Sequence, residues 1–231
     1  MEIKIFPDAE TVAREAAKVI AAEARAVVAV RGKFVLAVSG GKTPWLMLQA
    51  LAEETVPWAQ MQIVQVDERI APAGHADRNL THLRESLTHT PLRGEQIHAM
   101  PVEDNDLEVA AAKYARTLAQ LTSSPPVLDL VHLGLGADGH TASLIPMDPV
   151  LGVVNQDVAL TGIYQSRRRM TLTYPLINRS RKILWVVTGV EKAEMLSRLR
   201  ASDVSIPAGK IVSATALVLA DWAAGGQFRA V

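Results

Sequence analysis

The sequence predicts an α/β fold: a single domain, residues 1–231, built on a mostly parallel, doubly wound (Rossmann-like) sheet with helices on both faces. Short apolar, β-branched segments alternate with longer segments of helical periodicity along the whole chain, which is the order that produces βαβ units. Glycine- and proline-rich turns directly follow several of the apolar segments, as expected where strands pass into helices. A length of 231 residues is sufficient for one sizeable core.

In the first part of the chain, strands are predicted from apolar segments and helices from a 3.6-residue apolar period. Asp8 is suited to cap the first helix, and Pro44 fits the first turn of the second. The predicted strands cover residues 3–6, 34–38, 62–66, 97–100 and 128–133, and the predicted helices cover residues 9–30, 45–51, a segment that starts near 79, and 106–121.

In the second part, β-branched content predicts two further strands before the pattern returns to alternation. A proline-rich segment at residues 123–126 is expected to act as a linker within the domain. The predicted strands cover residues 157–164, 169–173, 182–188 and 216–220, and the predicted helical segments cover 174–179, 191–199 and 221–224.

Composition limits the possible partners of the chain. Lys and Arg together number 24, as do Asp and Glu, so no net charge steers the chain towards nucleic acid or an anionic membrane. The absence of cysteine excludes disulfides and thiolate sites. The first residues are acidic and no long apolar run follows, which argues against a signal peptide or a membrane span. A cytoplasmic protein is therefore expected.

A glycine-rich turn after the second predicted strand predicts an anion site. It consists of Ser39, Gly40, Gly41, Lys42 and Thr43. A helix that starts here would present free backbone N–H groups and the positive end of its dipole, which suits a phosphate. An ordinary turn without a ligand is the plainer alternative. A serine nucleophile is another, since Ala37–Gly41 loosely matches G-x-S-x-G.

The segment from Gly134 to Pro146 predicts the reactive centre. It reads Gly-Leu-Gly-Ala-Asp-Gly-His-Thr-Ala-Ser-Leu-Ile-Pro and follows a buried strand pattern, which is where open α/β sheets bind ligands. Histidine is a suitable general base near neutral pH, so His140 is the candidate. A structural loop histidine is the alternative. The glycines also match G-x-G-x-x-G, but Pro146 and Pro149 interrupt the long helix that a dinucleotide site requires.

This segment resembles the signature of the 6-phosphogluconolactonases, which are relatives of the glucosamine-6-phosphate deaminases and ribose-5-phosphate isomerases. The resemblance extends from Phe34 to about Ala224 and includes Asp67-Glu-Arg69 with Pro72 and Asn79, the Arg169-x-Thr-Leu-Thr segment, and Gly189-x-x-Lys192-Ala. Arg78 departs from the pattern, because the family usually carries serine there. That difference leaves the local substrate contacts open.

The resemblance implies hydrolysis of 6-phosphoglucono-lactone to 6-phosphogluconate, a step of the oxidative pentose phosphate pathway. It implies His140 as the base that activates water and Asp138 as the residue that orients it, without metal or cofactor. The substrate, a phosphorylated sugar lactone, would be held by Ser39, Gly40, Gly41, Lys42, Thr43, Asp67, Arg69, Asn79, Arg169 and Lys192. Nucleic acid and membrane are not expected as partners, and the assembly is expected to be a monomer or a homodimer.

Three points stay open in the sequence. Asp67 and Glu68 resemble metal ligands, but no spaced partner supports a metal site, and an ion pair with Arg69 is expected instead. Lys192 is predicted in the first turn of a helix, where the dipole disfavours a cation, so anion binding is favoured over stability. A deaminase or isomerase on the same scaffold, or a silent sugar-phosphate sensor, are the alternative functions.

Overall fold

The computed structural model describes residues 1–212 and 214–228. The strands are β1 (Glu2–Phe6), β2 (Phe34–Val38), β3 (Met61–Gln65), β4 (Asp67–Arg69), β5 (Ile97–His98), β6 (Leu130–Leu133), β7 (Val158–Leu160), β8 (Arg169–Leu172), β9 (Ile183–Val187) and β10 (Ala216–Asp221). The helices are α1 (Ala9–Arg31), α2 (Lys42–Leu51), α3 (Asn79–Ser86), α4 (Leu107–Leu121), α5 (Tyr174–Arg179), α6 (Ala193–Arg200) and α7 (Trp222–Gly225).

The main sheet confirms the predicted fold class. Its seven strands follow the order β1-β10-β9-β6-β2-β3-β5, and every neighbouring pair is parallel. Parallel neighbours need crossover connections, and the intervening helices supply most of them. The N-terminal strand β1 lies at one edge beside β10, so the two ends of the described chain meet in one sheet.

Two hydrophobic layers cover the two faces of this sheet. The side chains of β2 alternate between them: Phe34, Leu36 and Val38 pack with α1, α2 and α3, whereas Val35 and Ala37 pack with α4, α5 and α6. A strand with both faces buried reads as a continuous apolar run, as Phe34–Val38 does. The predicted arrangement with helices on both faces is confirmed.

A second, smaller sheet was not predicted. Strands β4, β8 and β7 pair antiparallel, and Arg69 lies opposite Arg169 in that register. The three residues of β4 are charged and lack a strand period, so the extended conformation of this segment depends on pairing with β8. Five predicted strands are shorter in the structure: Ile97–His98 instead of 97–100, Leu130–Leu133 instead of 128–133, Val158–Leu160 instead of 157–164, Arg169–Leu172 instead of 169–173, and Ile183–Val187 instead of 182–188.

Helix α1 begins and ends as its sequence predicts. The Asp8 carboxylate accepts a hydrogen bond from the Thr11 backbone N–H at 2.7 Å, which caps the first turn. Gly32 closes the helix in the left-handed conformation that favours glycine. Lys192 was expected inside the first turn of a helix, but α6 begins at Ala193, and Lys192 ends a 3₁₀ turn just before it.

The strand order creates a crevice at the middle of the sheet. From β2 the chain continues through β3 to β5 at one edge, and it then returns to β6 on the other side of β2. The loops that follow β2 and β6 therefore diverge, and such a switch point is where open α/β sheets bind ligands. Within residues 1–212 and 214–228, no helix is long and apolar enough to cross a bilayer.

Candidate active site

A cleft of about 510 Å³ opens at the carboxyl ends of the parallel strands. All of the predicted site residues except Asp138 line it, namely Ser39, Gly40, Gly41, Lys42, Thr43, Asp67, Arg69, Asn79, His140, Arg169 and Lys192. They come from six separate stretches of the chain, and the switch point of the sheet brings them together. The remaining predicted residue, Asp138, is outside this lining and contacts His140.

His140 is held by a carboxylate two residues earlier. Oδ1 of Asp138 accepts hydrogen bonds from Nδ1 of His140 at 2.5 Å and from its backbone N–H at 3.1 Å. Since a carboxylate only accepts, Nδ1 carries the proton and Nε2 keeps a free lone pair. Gly136 makes this arrangement possible, because a Cβ atom there would overlap both the imidazole and the Asp138 carboxylate.

Asp138 is ionised in this environment. Partial burial alone would raise the pKa of its carboxyl group, but the electrostatic interaction with His140 and hydrogen bonds from His140 and Tyr164 outweigh that effect and lower the pKa below its usual value. An ionised Asp138 fixes the tautomer of His140 and stabilises the imidazolium that forms when His140 takes a proton. The pair therefore has the features of an oriented general base.

The turn after β2 presents backbone donors to the cleft. Helix α2 begins at Lys42, and no side chain caps its first turn, so its N-terminal N–H groups are open to an anion. Thr43 is fixed by a 2.7 Å hydrogen bond between its Oγ1 atom and that of Thr188. A Cβ atom on Gly40 would overlap the Asn79 side chain, so glycine is required for this close approach.

The hydrogen bonds of Ser39 do not fit a nucleophile. Its Oγ donates to the backbone carbonyl of His132 at 3.0 Å, and its backbone N–H donates to Nδ1 of the same residue at 3.2 Å. Burial lowers the pKa of His132 to about 3, so this imidazole is neutral and serves as a fixed acceptor. Without a base on the Ser39 hydroxyl, the geometry offers no activated serine.

Two arginines, Arg69 and Arg169, also line the cleft. Arg169 is 4% exposed and its Nη2 donates to Gln165 at 3.1 Å, while Nη1 of Arg69 donates to Asn79 Oδ1 at 2.8 Å. Burial lowers the pKa of Arg169 and the nearby Asp67 carboxylate opposes that shift. A guanidinium nevertheless stays protonated in proteins, so both arginines are cations.

Arg169 is the member of the Arg167–Arg169 run that lines the cleft. Arg167 forms an ion pair with Asp77 at 3.0 Å, and Nε of Arg168 donates to the Thr161 carbonyl at 3.3 Å. Arg169 is the first residue of β8, whereas Arg167 and Arg168 precede that strand, so the three arginines have different partners.

Asp67 is fixed by groups that the sequence did not indicate. Its Oδ2 atom accepts a 2.6 Å hydrogen bond from the Ser143 hydroxyl, and Asn79 donates to its backbone carbonyl at 3.1 Å. Asp67 is 5% exposed and borders the cleft beside the two arginines. Its carboxylate therefore acts as a buried counter-ion within a hydrogen-bonded frame.

The expected ion pair between Glu68 and Arg69 is wrong. Glu68 is fully buried, and its partner is Arg78, whose Nε lies 3.2 Å from Oε2 of Glu68. The Glu68 carboxylate also accepts the backbone N–H groups of Asn79 and Leu80 at 2.8 Å, which caps helix α3. Alternation along β4 turns the Arg69 side chain away from that of Glu68.

Arg78, where the sequence departs from the pattern that it resembles, is outside the cleft lining. It is 2% exposed and donates to the Ala71 carbonyl at 2.7 Å and to Glu103 at 2.8 Å. Its role is to tie the loop after β4 to the segment around Glu103. Arg78 therefore stabilises the surroundings of the site and contributes no group to the lining of the cleft.

The cleft carries an excess of cations. Its lining includes Lys42, Arg69, Arg169 and Lys192 against Asp67, Glu191 and Asp221. Two of the carboxylates have internal partners, because Asp221 accepts the Gly189 N–H at 3.1 Å and Asp67 is bound by Ser143. The balance favours an anionic ligand in a chain of zero net charge.

The structure also bears on two alternative interpretations of the sequence, a dinucleotide site after His140 and a metal site. Residues after His140 form turns and then a short 3₁₀ segment at Pro149–Gly152, which does not provide the long helix of a dinucleotide site. No group of three or more His, Asp or Glu side chains in the described ranges could hold a metal ion. Sequence reasoning assigned no role to Ser143, although it lies in the Gly134–Pro146 segment, and missed Tyr164, Thr188 and Glu191, which have no motif spacing of their own.

Comparison with known proteins identifies the family to which the chain belongs. A family model described as glucosamine-6-phosphate isomerases/6-phosphogluconolactonase matches residues 7–219. The chain is 35% identical over 198 residues to a 6-phosphogluconolactonase of Nostoc sp., and the match covers 82% of each protein. A solved 6-phosphogluconolactonase from Shewanella baltica has a TM-score of 0.83 at 26% identity, over 96% of this chain and 97% of the other.

The fold is also shared with a deaminase. A monomeric glucosamine-6-phosphate deaminase has a TM-score of 0.86 at 18% identity, over 99% of this chain and 100% of the other. At that identity the match concerns the fold alone. From the family model and the identity to the Nostoc enzyme, the chain belongs to the family of glucosamine-6-phosphate isomerases and 6-phosphogluconolactonases.

Proposed function

We propose that this protein is a lactonase that hydrolyses 6-phosphoglucono-lactone to 6-phosphogluconate, the step assigned to its named relatives in the pentose phosphate pathway. The observation that carries the proposal is the Asp138–His140 pair, with its 2.5 Å hydrogen bond, beside a cleft rich in cations. An oriented base and an anion-binding wall are the two elements that hydrolysis of a phosphorylated lactone requires.

In the proposed mechanism, Nε2 of His140 takes a proton from water as the water oxygen attacks the lactone carbonyl carbon. The resulting imidazolium is stabilised by the Asp138 carboxylate. The bond between the carbonyl carbon and the ring oxygen then breaks, and the imidazolium returns its proton to that oxygen. The ring opens to the hydroxy acid, and His140 is neutral again for the next turnover.

The substrate is held by the residues predicted for it. Ser39 to Thr43 and the open N–H groups of α2 receive the phosphate, with help from Arg69 and Lys192. Arg169 stabilises the negative charge that develops on the carbonyl oxygen. Asn79 fixes Arg69 by accepting a hydrogen bond from its Nη1 atom, and Asn79 is itself fixed by donating to the Asp67 backbone carbonyl.

An isomerase or deaminase is the weaker alternative. Such an enzyme would use Asp67 as the base that removes a carbon-bound proton. Here Oδ2 of Asp67 already accepts a 2.6 Å hydrogen bond from the Ser143 hydroxyl, so this oxygen is engaged by the protein. The sequence after His140, Thr-Ala-Ser-Leu-Ile, also differs from the Ile-Ala-Phe-Asn-Glu that deaminases carry.

The direct test is lactone hydrolysis by the purified protein, measured against the spontaneous reaction. His140→Gln should keep the fold and lower kcat by about 10²–10⁴-fold, since that is the usual contribution of a general base. The matched control is His89→Gln, an exposed histidine outside the cleft, which should keep full activity. A wild-type rate equal to the background would support a silent sensor, and a fully active His140→Gln enzyme would exclude His140 as the base.

The domain organisation, the localisation, the assembly and the independence of metal and cofactor stay predictions. We expect residues 1–231 to act as one domain, which the pairing of β1 with β10 supports. A cytoplasmic monomer or homodimer remains the expectation, as does catalysis without a metal or cofactor. Size-exclusion chromatography with light scattering would measure the assembly, and activity after chelation would test the expected independence of metal.

A further inference from the structure

The second oxygen of the Asp138 carboxylate has a partner of its own. While Oδ1 binds His140, Oδ2 accepts a 3.1 Å hydrogen bond from the hydroxyl of Tyr164. We propose that Tyr164 is a positioning residue that fixes Asp138, and through it the His140 imidazole, in the orientation needed for catalysis. This inference rests on the proposed function and adds a residue to it.

Asp138 needs a second anchor because of where it lies. Its side chain is 39% exposed, so water competes for any oxygen that the protein leaves free. Without Tyr164, both hydrogen bonds to the carboxylate would come from His140 itself and end on Oδ1, so nothing outside the Asp138–His140 pair would fix its orientation. The Tyr164 hydroxyl fixes the plane of the carboxylate, and the His140 ring then has one orientation.

The Tyr164 ring makes two further contacts at the site. Its centroid lies 5.6 Å from that of His140 in an edge-on arrangement, with an angle of 65° between the planes. The guanidinium carbon of Arg169 lies 4.9 Å from the Tyr164 ring centroid, within the range of a cation–π interaction. Tyr164 therefore connects the base to the arginine proposed to bind the carbonyl oxygen.

Tyr164 is itself held in a tight hairpin. Its backbone pairs with that of Arg167 through hydrogen bonds of 2.9 and 3.2 Å, and Gln165 and Ser166 between them have φ angles of 49° and 65°. Positive φ at both central positions is the geometry of a type I′ turn, which non-glycine residues adopt when their surroundings enforce it. The ion pair of Arg167 with Asp77 at 3.0 Å supplies such an anchor.

The first test removes only the hydroxyl. Tyr164→Phe keeps the ring and its contacts, so we expect kcat to fall about tenfold with less than a twofold change in KM, because only orientation is lost. The matched control is Tyr174→Phe, since Tyr174 donates its hydroxyl to the Pro207 carbonyl at 2.9 Å and has Lys210 5.9 Å from its ring centroid. Tyr174 lies outside the cleft lining, and its variant should keep the wild-type kcat.

The second test asks whether Tyr164 acts through Asp138. In an Asp138→Asn background the Tyr164→Phe change should have no further effect on kcat, because the residue it positions is already altered. A tenfold loss that persists in this background, a raised KM with unchanged kcat, or a fully active Tyr164→Phe enzyme would each overturn the proposal.

A spectroscopic measurement separates this inference from the proposed function. The Nδ1 proton of His140 should give a downfield ¹H NMR signal that is absent in His140→Gln, and Tyr164→Phe should broaden it or speed its exchange with water. An unchanged signal in Tyr164→Phe would contradict the proposal. Failure of the wild-type protein to hydrolyse the lactone would remove the proposed function, and the NMR comparison would still decide whether Tyr164 holds the pair together.

Discussion

His132 and His140 belong to one segment of the chain but lie in very different surroundings. His132 is inside β6 and fully buried, with no hydrogen-bond partner on Nε2 in the described part of the chain. His140 follows the glycine-rich turn, 24% exposed, with its Nδ1 on an ionised carboxylate. The same side chain therefore serves as a neutral acceptor in one place and as the proposed base in the other.

The buried histidine should make stability depend on pH. Its pKa is about 3 in the folded protein against an ordinary 6.5, so between these values the unfolded chain binds a proton that the folded chain does not. The effect of His132 on the free energy of unfolding is therefore absent above about pH 6.5. Below that pH the free energy of unfolding falls by about 1.4 kcal/mol per pH unit as the pH drops towards 3. Urea denaturation at about pH 6, 5 and 4 should give a shallower pH slope for His132→Asn, and equal slopes would contradict this prediction.

The residues at the ends of buried strands could be predicted from the sequence, and their supporting partners could not. Ser39, Asp67 and His140 stand out as polar groups after apolar runs, where α/β sheets bind ligands. Tyr164 and Ser143 contact the site through the small antiparallel sheet and the turn that follows His140. Their positions depend on long-range pairing, which no local period in the sequence encodes.

At the scale of elements, the buried pair of Glu68 and Arg78 joins β4 to the start of α3. Removing one partner of a buried ion pair leaves the other charge unpaired, so Arg78→Ser should lower the free energy of unfolding by about 3 kcal/mol. Guanidinium denaturation would measure it. The matched control is Glu103→Gln, which breaks the outer ion pair of the same arginine at a carboxylate that is 53% exposed and should cost less than about 1 kcal/mol.

The same comparison tests what Arg78 contributes beyond the other partners of Glu68. If Arg78→Ser is as stable as the wild type, the backbone N–H groups of Asn79 and Leu80 are sufficient to hold the Glu68 carboxylate. Activity should then also be unchanged, because Arg78 is outside the cleft lining. A lower free energy of unfolding in Arg78→Ser, together with a wild-type KM, would show that Arg78 stabilises the fold and does not act on the substrate.

At the scale of the whole molecule, charge is balanced overall and unbalanced at one place. The chain has 24 basic and 24 acidic residues, so long-range steering of an anion is weak. Attraction arises in the cleft, where Lys42, Arg69, Arg169 and Lys192 converge although they are far apart in sequence. The alternation of strands and helices predicted the sheet that gathers them, but the partner of each cation depended on side-chain geometry.

The last prediction separates the phosphate from the reacting carbonyl. A charge-assisted hydrogen bond is worth about 1.5–3 kcal/mol, so Lys192→Ala and Arg69→Ala should each lower kcat/KM on the phosphorylated lactone by about ten- to a hundredfold. On unphosphorylated gluconolactone, which offers these cations no phosphate, the same variants should differ little from the wild type. Lys113→Ala, a 62% exposed lysine on α4, is the control and should leave both substrates unaffected. Equal proportional losses on the two lactones would instead place Lys192 and Arg69 at the carbonyl oxygen, and Arg169 would then be the better candidate for the phosphate.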